Sequence, residues 1–127
     1  MKKILLVDDE AALTRIIRLN LEQTGRFEVR EENRGVNAVR VAREFMPDLI
    51  FLDVMMPDKG GDEIAAELDE DPELRNIKYV FLTAIVTKSE TGAGAAEISG
   101  KTFLAKPVKR DELMAVIDAL IGDGIGD

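Results

Sequence analysis

Asp48-Leu49-Ile50-Phe51-Leu52-Asp53, followed by Val54-Met55-Met56-Pro57, is the stretch that decides the fold. Leu49 to Leu52 are apolar without alternation, the pattern of a strand covered on both faces by helices in a parallel sheet. Asp53 stops that run. Its carboxylate therefore stands at the carboxyl edge of the sheet, where open α/β folds place their ligands. A lone strand-ending Asp ordinarily binds turn amides; the other strand ends of this chain give it a different setting.

Lys3-Ile4-Leu5-Leu6-Val7 is a second short apolar run, cut off by Asp8-Asp9-Glu10. Leu13, Ile16, Ile17 and Leu21 then recur at helical spacing, so the acidic cluster lies between a strand and a helix. Capping that helix is the simplest use of Asp9 or Glu10. Gly25 closes the helix, and Phe27-Glu28-Val29-Arg30-Glu31 alternates as an edge strand does. Ala38, Val41, Ala42, Phe45 and Met46 mark the buried stripe of a second helix, with Arg40 and Arg43 on its wet side and Pro47 at its end.

Beyond Pro57, Asp58 to Asp62 reads as a loop and helix start, and Ile64, Ala65 and Leu68 face the core until Asp71-Pro72 breaks the third helix. Tyr79 to Leu82 is a fourth strand ended by Thr83, and Thr102 to Ala105 a fifth, followed by Lys106-Pro107. Between them, Thr87 to Gly100 carries Gly92, Gly94 and Gly100, which predicts a short or frayed helix. Leu113, Val116, Ile117, Leu120 and Ile121 form the clearest amphipathic stripe, and Gly122 to Asp127 a loose tail.

Five strands alternating with five helices predict a doubly wound parallel sheet of flavodoxin-like type, strand order 2-1-3-4-5, with one domain over residues 1–121 and a tail over 122–127. A length of 127 residues leaves no room in this sequence for an attached output domain. No apolar run approaches membrane-spanning length and nothing resembles a signal peptide, so the expected location is the cytoplasm. The absence of Cys excludes disulfides, thiolate nucleophiles and zinc clusters. The absence of His removes the usual general base and assigns any phosphohistidine chemistry to another protein. A net charge of -8 argues against nucleic acid or anionic membrane as a partner.

Asp8, Asp9, Asp53, Thr83 and Lys106 all fall just after or at the ends of strands, on one edge of one sheet. Clustered carboxylates repel unless protons or a cation intervene, and with oxygen donors only, the fitting cation is a hard one such as Mg2+. A carboxylate nucleophile, a metal, a mobile cation and a hydroxyl are the parts needed for phosphoryl transfer to an aspartate.

With these motifs in place, Val7-Asp8-Asp9-Glu10, Leu52-Asp53-Val54-Met55-Met56-Pro57, Leu82-Thr83-Ala84 and Lys106-Pro107, the chain resembles the receiver domain of two-component response regulators, of the single-domain, chemotaxis-regulator-like kind, from Lys2 to Ile121. The resemblance implies that Asp53 accepts a phosphoryl group from the phosphohistidine of a sensor histidine kinase or a histidine phosphotransfer protein. It implies that Asp9, Asp53 and the backbone carbonyl of Met55 ligate Mg2+, that Asp8 acts through metal-bound water, that Lys106 pairs with the phosphoryl group, and that the Lys106-Pro107 peptide is cis. Thr83 and Phe103 would form the switch that alters a surface for a downstream protein, with the module a monomer or a phosphorylation-dependent homodimer. On this reading the chain is not a conventional enzyme, although it catalyses its own phosphorylation and dephosphorylation.

The sequence departs from the family pattern in two places. Glu90-Thr91-Gly92-Ala93-Gly94 and Ile98-Ser99-Gly100-Lys101 replace a sturdier fourth helix and a Gly-Ala-Asp type turn, and Met55 and Ile85 are apolar where many relatives carry polar groups, which we expect to alter the lifetime of the acyl phosphate. Other readings fit less well. A phosphohydrolase of the haloacid dehalogenase type wants a second Asp where Met55 stands, and a flavodoxin-like cofactor binder wants a phosphate loop where Asp8-Asp9-Glu10 would repel one. A phosphorylation-independent interaction module would have no need of the full set of site residues.

Overall fold

The computed structural model describes residues 1–84, 95–98 and 100–122. Five strands run parallel: β1 (Lys2–Val7), β2 (Phe27–Glu32), β3 (Leu49–Asp53), β4 (Lys78–Thr83) and β6 (Lys101–Ala105). A sixth, β5 (Ala95–Ile98), lies antiparallel on β6, so the full order is β2-β1-β3-β4-β6-β5. The parallel strands thus keep the expected 2-1-3-4-5 arrangement. The described helices are α1 (Ala11–Glu22), α2 (Ala38–Phe45), α3 (Gly61–Glu70) and α4 (Arg110–Ile121), with a single 3-10 turn at Gly35–Asn37.

β3 is buried at every position, as its unbroken apolar run requires, and its alternate side chains feed two separate cores. On one face Leu49 and Phe51 pack with Ile4, Leu6, Ile17, Leu21, Leu113 and Ile117 beneath α1 and α4. On the other, Ile50 and Leu52 pack with Leu5, Val7, Val41, Phe45, Ile64 and Leu68 beneath α2 and α3. Fully burying one such side chain contributes about 1.5–3 kcal/mol. An exposed ion pair such as Arg26 with Asp118, 2.9 Å apart, is of a kind that contributes about 0–1, so the two apolar layers hold the sheet.

Four expectations need correction. The 95–98 part of the predicted frayed helix is strand, closed onto β6 by a turn in which Gly100 has φ 78°, a conformation that suits glycine; residues 85–94 and 99 lie outside the described residues. Four α-helices rather than five are seen among the described residues. Ile16 is 58% exposed, while Thr14 takes a buried position on α1 instead. Met46 is half exposed because it ends α2 in the left-handed region at φ 49°, which turns its side chain off the helical stripe.

Candidate functional site

Register brings the site together. Val7 lies beside Leu52, Asp53 beside Leu82, and Thr83 beside Ala105. One residue further along β1 is Asp8, and one further along β6 is Lys106, so the polar residues share the carboxyl edge that the sequence predicted. Asp8, Asp53 and Thr83 are buried, and Asp9 is exposed at the rim. Asp9 and Asp53 border a cleft of about 660 Å3 lined also by Glu10, Leu13, Met55, Ala84, Lys106 and Pro107.

Each position has a local cause. The Asp53 carboxylate accepts a hydrogen bond from the Met55 amide at 3.2 Å, which folds the chain back over the strand end. Asp8 accepts one from the Glu10 amide at 2.9 Å, and its carbonyl accepts from Asn33 Nδ2 at 2.7 Å. Asn33 also donates to Thr14 Oγ1 at 3.0 Å, whose hydroxyl donates to Glu31 at 2.6 Å, and Glu31 pairs with Arg18. A polar network therefore runs behind Asp8 from β2 to α1. The Lys106-Pro107 peptide is cis, and the Lys106 amide bonds the Thr83 carbonyl at 2.9 Å.

The β3–α3 loop is tied to a neighbour as well. Asp58 accepts from the amides of Gly35 at 3.2 Å and Val36 at 3.1 Å, the first residues of the 3-10 turn. Those hydrogen bonds hold the Asp58 carboxyl below the usual range. Gly35 passes so close that an added Cβ would stand 2.3 Å from the Lys59 carbonyl oxygen.

Lys106 is the cation of the cleft. Its ammonium lies 2.8 Å from Asp8 Oδ2, 2.8 Å from Glu10 Oε1 and 3.6 Å from Asp53 Oδ1. Burial works against that charge, but the contacts with Asp8 and Glu10 and the field of Asp53 outweigh it and raise the lysine pKa. The Asp53 pKa also rises, which for an acid disfavours the charged form. Burial first, then the negative charge of Asp8, push it up to about 6, while Lys106 and the Met55 amide oppose the rise.

Asp8, Asp9 and Asp53 each offer a carboxylate oxygen, and these oxygens lie within 4.8 Å of one another. The donor set fits a hard divalent cation, since every donor is oxygen and a single lysine offsets three acids. Thr83 sits at the buried end of β4, and Phe103 lies on β6 opposite Phe81, ring centroids 5.0 Å apart. The structure thus gathers Asp8, Asp9, Asp53 and Lys106 about one cleft with Met55 at its lip, while Thr83 ends the neighbouring strand and Phe103 stands two residues back from the pairing of Thr83 with Ala105.

Two contributors escaped the sequence reading. Glu10 occupies the N-cap position of α1 with no side-chain capping bond, so the capping expectation fails and its carboxylate reaches Lys106 instead. Asn33 lies in a loop with no motif to mark it. Only its distance in sequence from Asp8 hid the contact.

A family model described as the response regulator receiver domain matches residues 4–118. The chain is 37% identical over 121 residues to the phosphate regulon transcriptional regulatory protein PhoB of Rhizobium meliloti, covering 95% of this chain and 52% of that protein. It is 30% identical to the polar-differentiation response regulator DivK of Brucella anthropi, covering 96% and 98%. The chain thus spans about half the length of some curated relatives, among them PhoB and the regulator RpaA of Synechocystis, and nearly all of others. Among solved structures, the receiver domain of a histidine kinase from Syntrophus aciditrophicus matches at TM-score 0.77 and 29% identity, covering 98% of this chain and 92% of that one. Chemotaxis protein CheY4 of Vibrio cholerae matches at TM-score 0.80 and 24% identity, covering 95% and 99%, a likeness of fold.

Proposed function

Because this chain belongs to the response regulator receiver domains, we propose that it is a phosphoacceptor whose cleft receives a phosphoryl group on Asp53 from the phosphohistidine of a sensor histidine kinase or histidine phosphotransfer protein. The observation that carries this reading is the placement of a buried Asp53 carboxylate beside Asp8, Asp9 and Lys106 in an open cleft. A carboxylate oxygen of Asp53 attacks phosphorus, the phosphorus to imidazole nitrogen bond of the donor breaks, and the leaving imidazole takes its proton from solvent. An acyl phosphate on Asp53 results.

Asp9, Asp53 and the Met55 carbonyl would hold Mg2+, with Asp8 acting through bound water; the cation, when bound, offsets the repulsion between carboxylates and the incoming phosphoryl oxygens. Lys106 pairs with a phosphoryl oxygen, drawing on an ammonium already 3.6 Å from Asp53. The Thr83 hydroxyl donates to another. As Thr83 moves toward Asp53, the half-buried Phe103 ring turns inward and the surface around β6 and α4 changes, a two-state equilibrium biased by the new charge and read by a downstream protein. The same residues let the chain take phosphoryl from a small donor and lose it to water. The cytoplasm is the place this reading implies, and no described helix is long and apolar enough to cross a membrane. The module acts as a monomer or as a phosphorylation-dependent homodimer.

Intact-protein mass after incubation with acetyl phosphate tests the proposal. A single phosphoryl adduct that needs both Mg2+ and Asp53, and is lost in Asp53→Asn, is expected. No adduct in the wild type under any condition would favour a phosphorylation-independent interaction module, because the small donor bypasses the kinase.

A further inference from the structure

We infer that Glu10 is a positioning residue that latches Lys106 away from Asp53 and so sets how readily the cleft accepts a phosphoryl group; this rests on the phosphoacceptor reading above. Three carboxylates compete for one ammonium. Asp8 and Glu10 hold it at hydrogen-bond distance, 2.8 Å each, whereas Asp53 at 3.6 Å lies beyond that range. The lysine is therefore turned toward the α1 side of the cleft.

The two closer partners differ in kind. Asp8 is buried and held by the Glu10 amide, so its grip on Lys106 is part of the floor. The Glu10 side chain is 59% exposed and reaches in from the rim to a lysine that is only 14% exposed. Its position at the start of α1 offers an ordinary alternative, capping the first helical turn, and the side chain makes no such bond. An incoming phosphoryl group that draws Lys106 toward Asp53 pulls the ammonium from Glu10, a contact that solvent and a rotamer change can release. Glu10 thereby slows acceptance without touching the reacting atoms.

The alternative explanation is that the charge of Glu10 merely repels an anionic donor. Glu10→Asp separates the two, because it keeps the charge and shortens the arm by one methylene. With acetyl phosphate, Mg2+ and about 0.15 M salt, where charges beyond about 8 Å are screened, the latch predicts that Glu10→Ala and Glu10→Asp both take phosphoryl faster than wild type, by about two- to five-fold, the worth of one exposed ion pair. Wild-type rates in Glu10→Asp with faster rates only in Glu10→Ala would overturn it in favour of bulk charge.

A second readout needs neither metal nor phosphoryl transfer. In the metal-free protein, the Lys106 ammonium signal in 15N–1H correlation spectra should shift and exchange faster with water in Glu10→Ala, with the backbone amide spectrum otherwise retained. An unchanged ammonium signal overturns the latch. If the wild type forms no adduct at all, the phosphoacceptor reading has failed, and the ammonium signal still decides whether Glu10 holds Lys106.

Discussion

Asp53 is strained electrostatically in the free protein. Burial and the charge of Asp8 raise its pKa to about 6, whereas the unfolded chain titrates it as an ordinary carboxylate near 4. Between those values the folded state holds more protons than the unfolded one, so this group's contribution to stability is present in full below about pH 4 and is lost as pH rises through about 6. In metal-free protein Asp53→Asn is therefore expected to be more stable than wild type at pH 7.5, by up to about 3 kcal/mol, with the difference closing toward pH 4. Urea denaturation at both pH values measures it, and a pH-independent difference would contradict the electrostatic origin. Met55 is the other residue whose character matters here. Its side chain is 65% exposed at the lip of the cleft and offers water no hydrogen bond. Met55→Asn should shorten the lifetime of the acyl phosphate by admitting and orienting water. Phosphate release followed after donor removal checks this, and an unchanged rate would show that the side chain does not govern access. Ile85, the matching apolar residue after Thr83, lies outside the described residues.

The elements position these residues through their ends. Because β1 and β3 are in register at Val7 and Leu52, the next residues on both strands meet across the switch point, and the acids need no long loops to reach each other. The β3–α3 loop is fixed from outside by Asp58 on the 3-10 turn and by the close passage of Gly35. Gly35→Ala should push that loop away, destabilising the fold by about 1–3 kcal/mol as overpacked sites do, and slowing phosphorylation because Met55 moves with it. Equal stability of variant and wild type in chemical denaturation would show that the loop yields at no cost. Elements were legible in proportion to how strongly one face of each is buried. β3 and α4 declared themselves through apolar runs and stripes, whereas the stretch before β6 had neither, and its glycines argued against a helix without arguing for a strand. The turn at Gly100 is the physical reason that 95–98 folds back on β6, and it lay in plain view as a glycine suited to positive φ. Ile16 misled because helical spacing counts apolar residues without knowing which face the sheet occupies.

At the scale of the molecule, two apolar cores hold a sheet whose carboxyl edge carries Asp8, Asp9, Asp53, Thr83 and Lys106. That separation made the fold and most of the site readable in advance, since apolar runs fix the strands and strand ends fix the edge. What stayed hidden were side-chain choices between competing partners. Glu10 could cap a helix or reach a lysine 96 positions away, and Asn33 could face water or the Asp8 carbonyl; no local pattern distinguishes such options. The extra antiparallel strand on β6 also changes the sheet edge from that of five parallel strands. On the proposed function, this edge places a phosphoryl group on one carboxylate, Asp53. Reduction of the acetyl phosphate treated protein with borohydride, followed by peptide sequencing by mass spectrometry, tests it most directly, because an aspartyl phosphate is converted to homoserine where it stood. Homoserine at position 53 and nowhere else is the predicted result; homoserine at Asp8 or Asp9, or none at all, would contradict it.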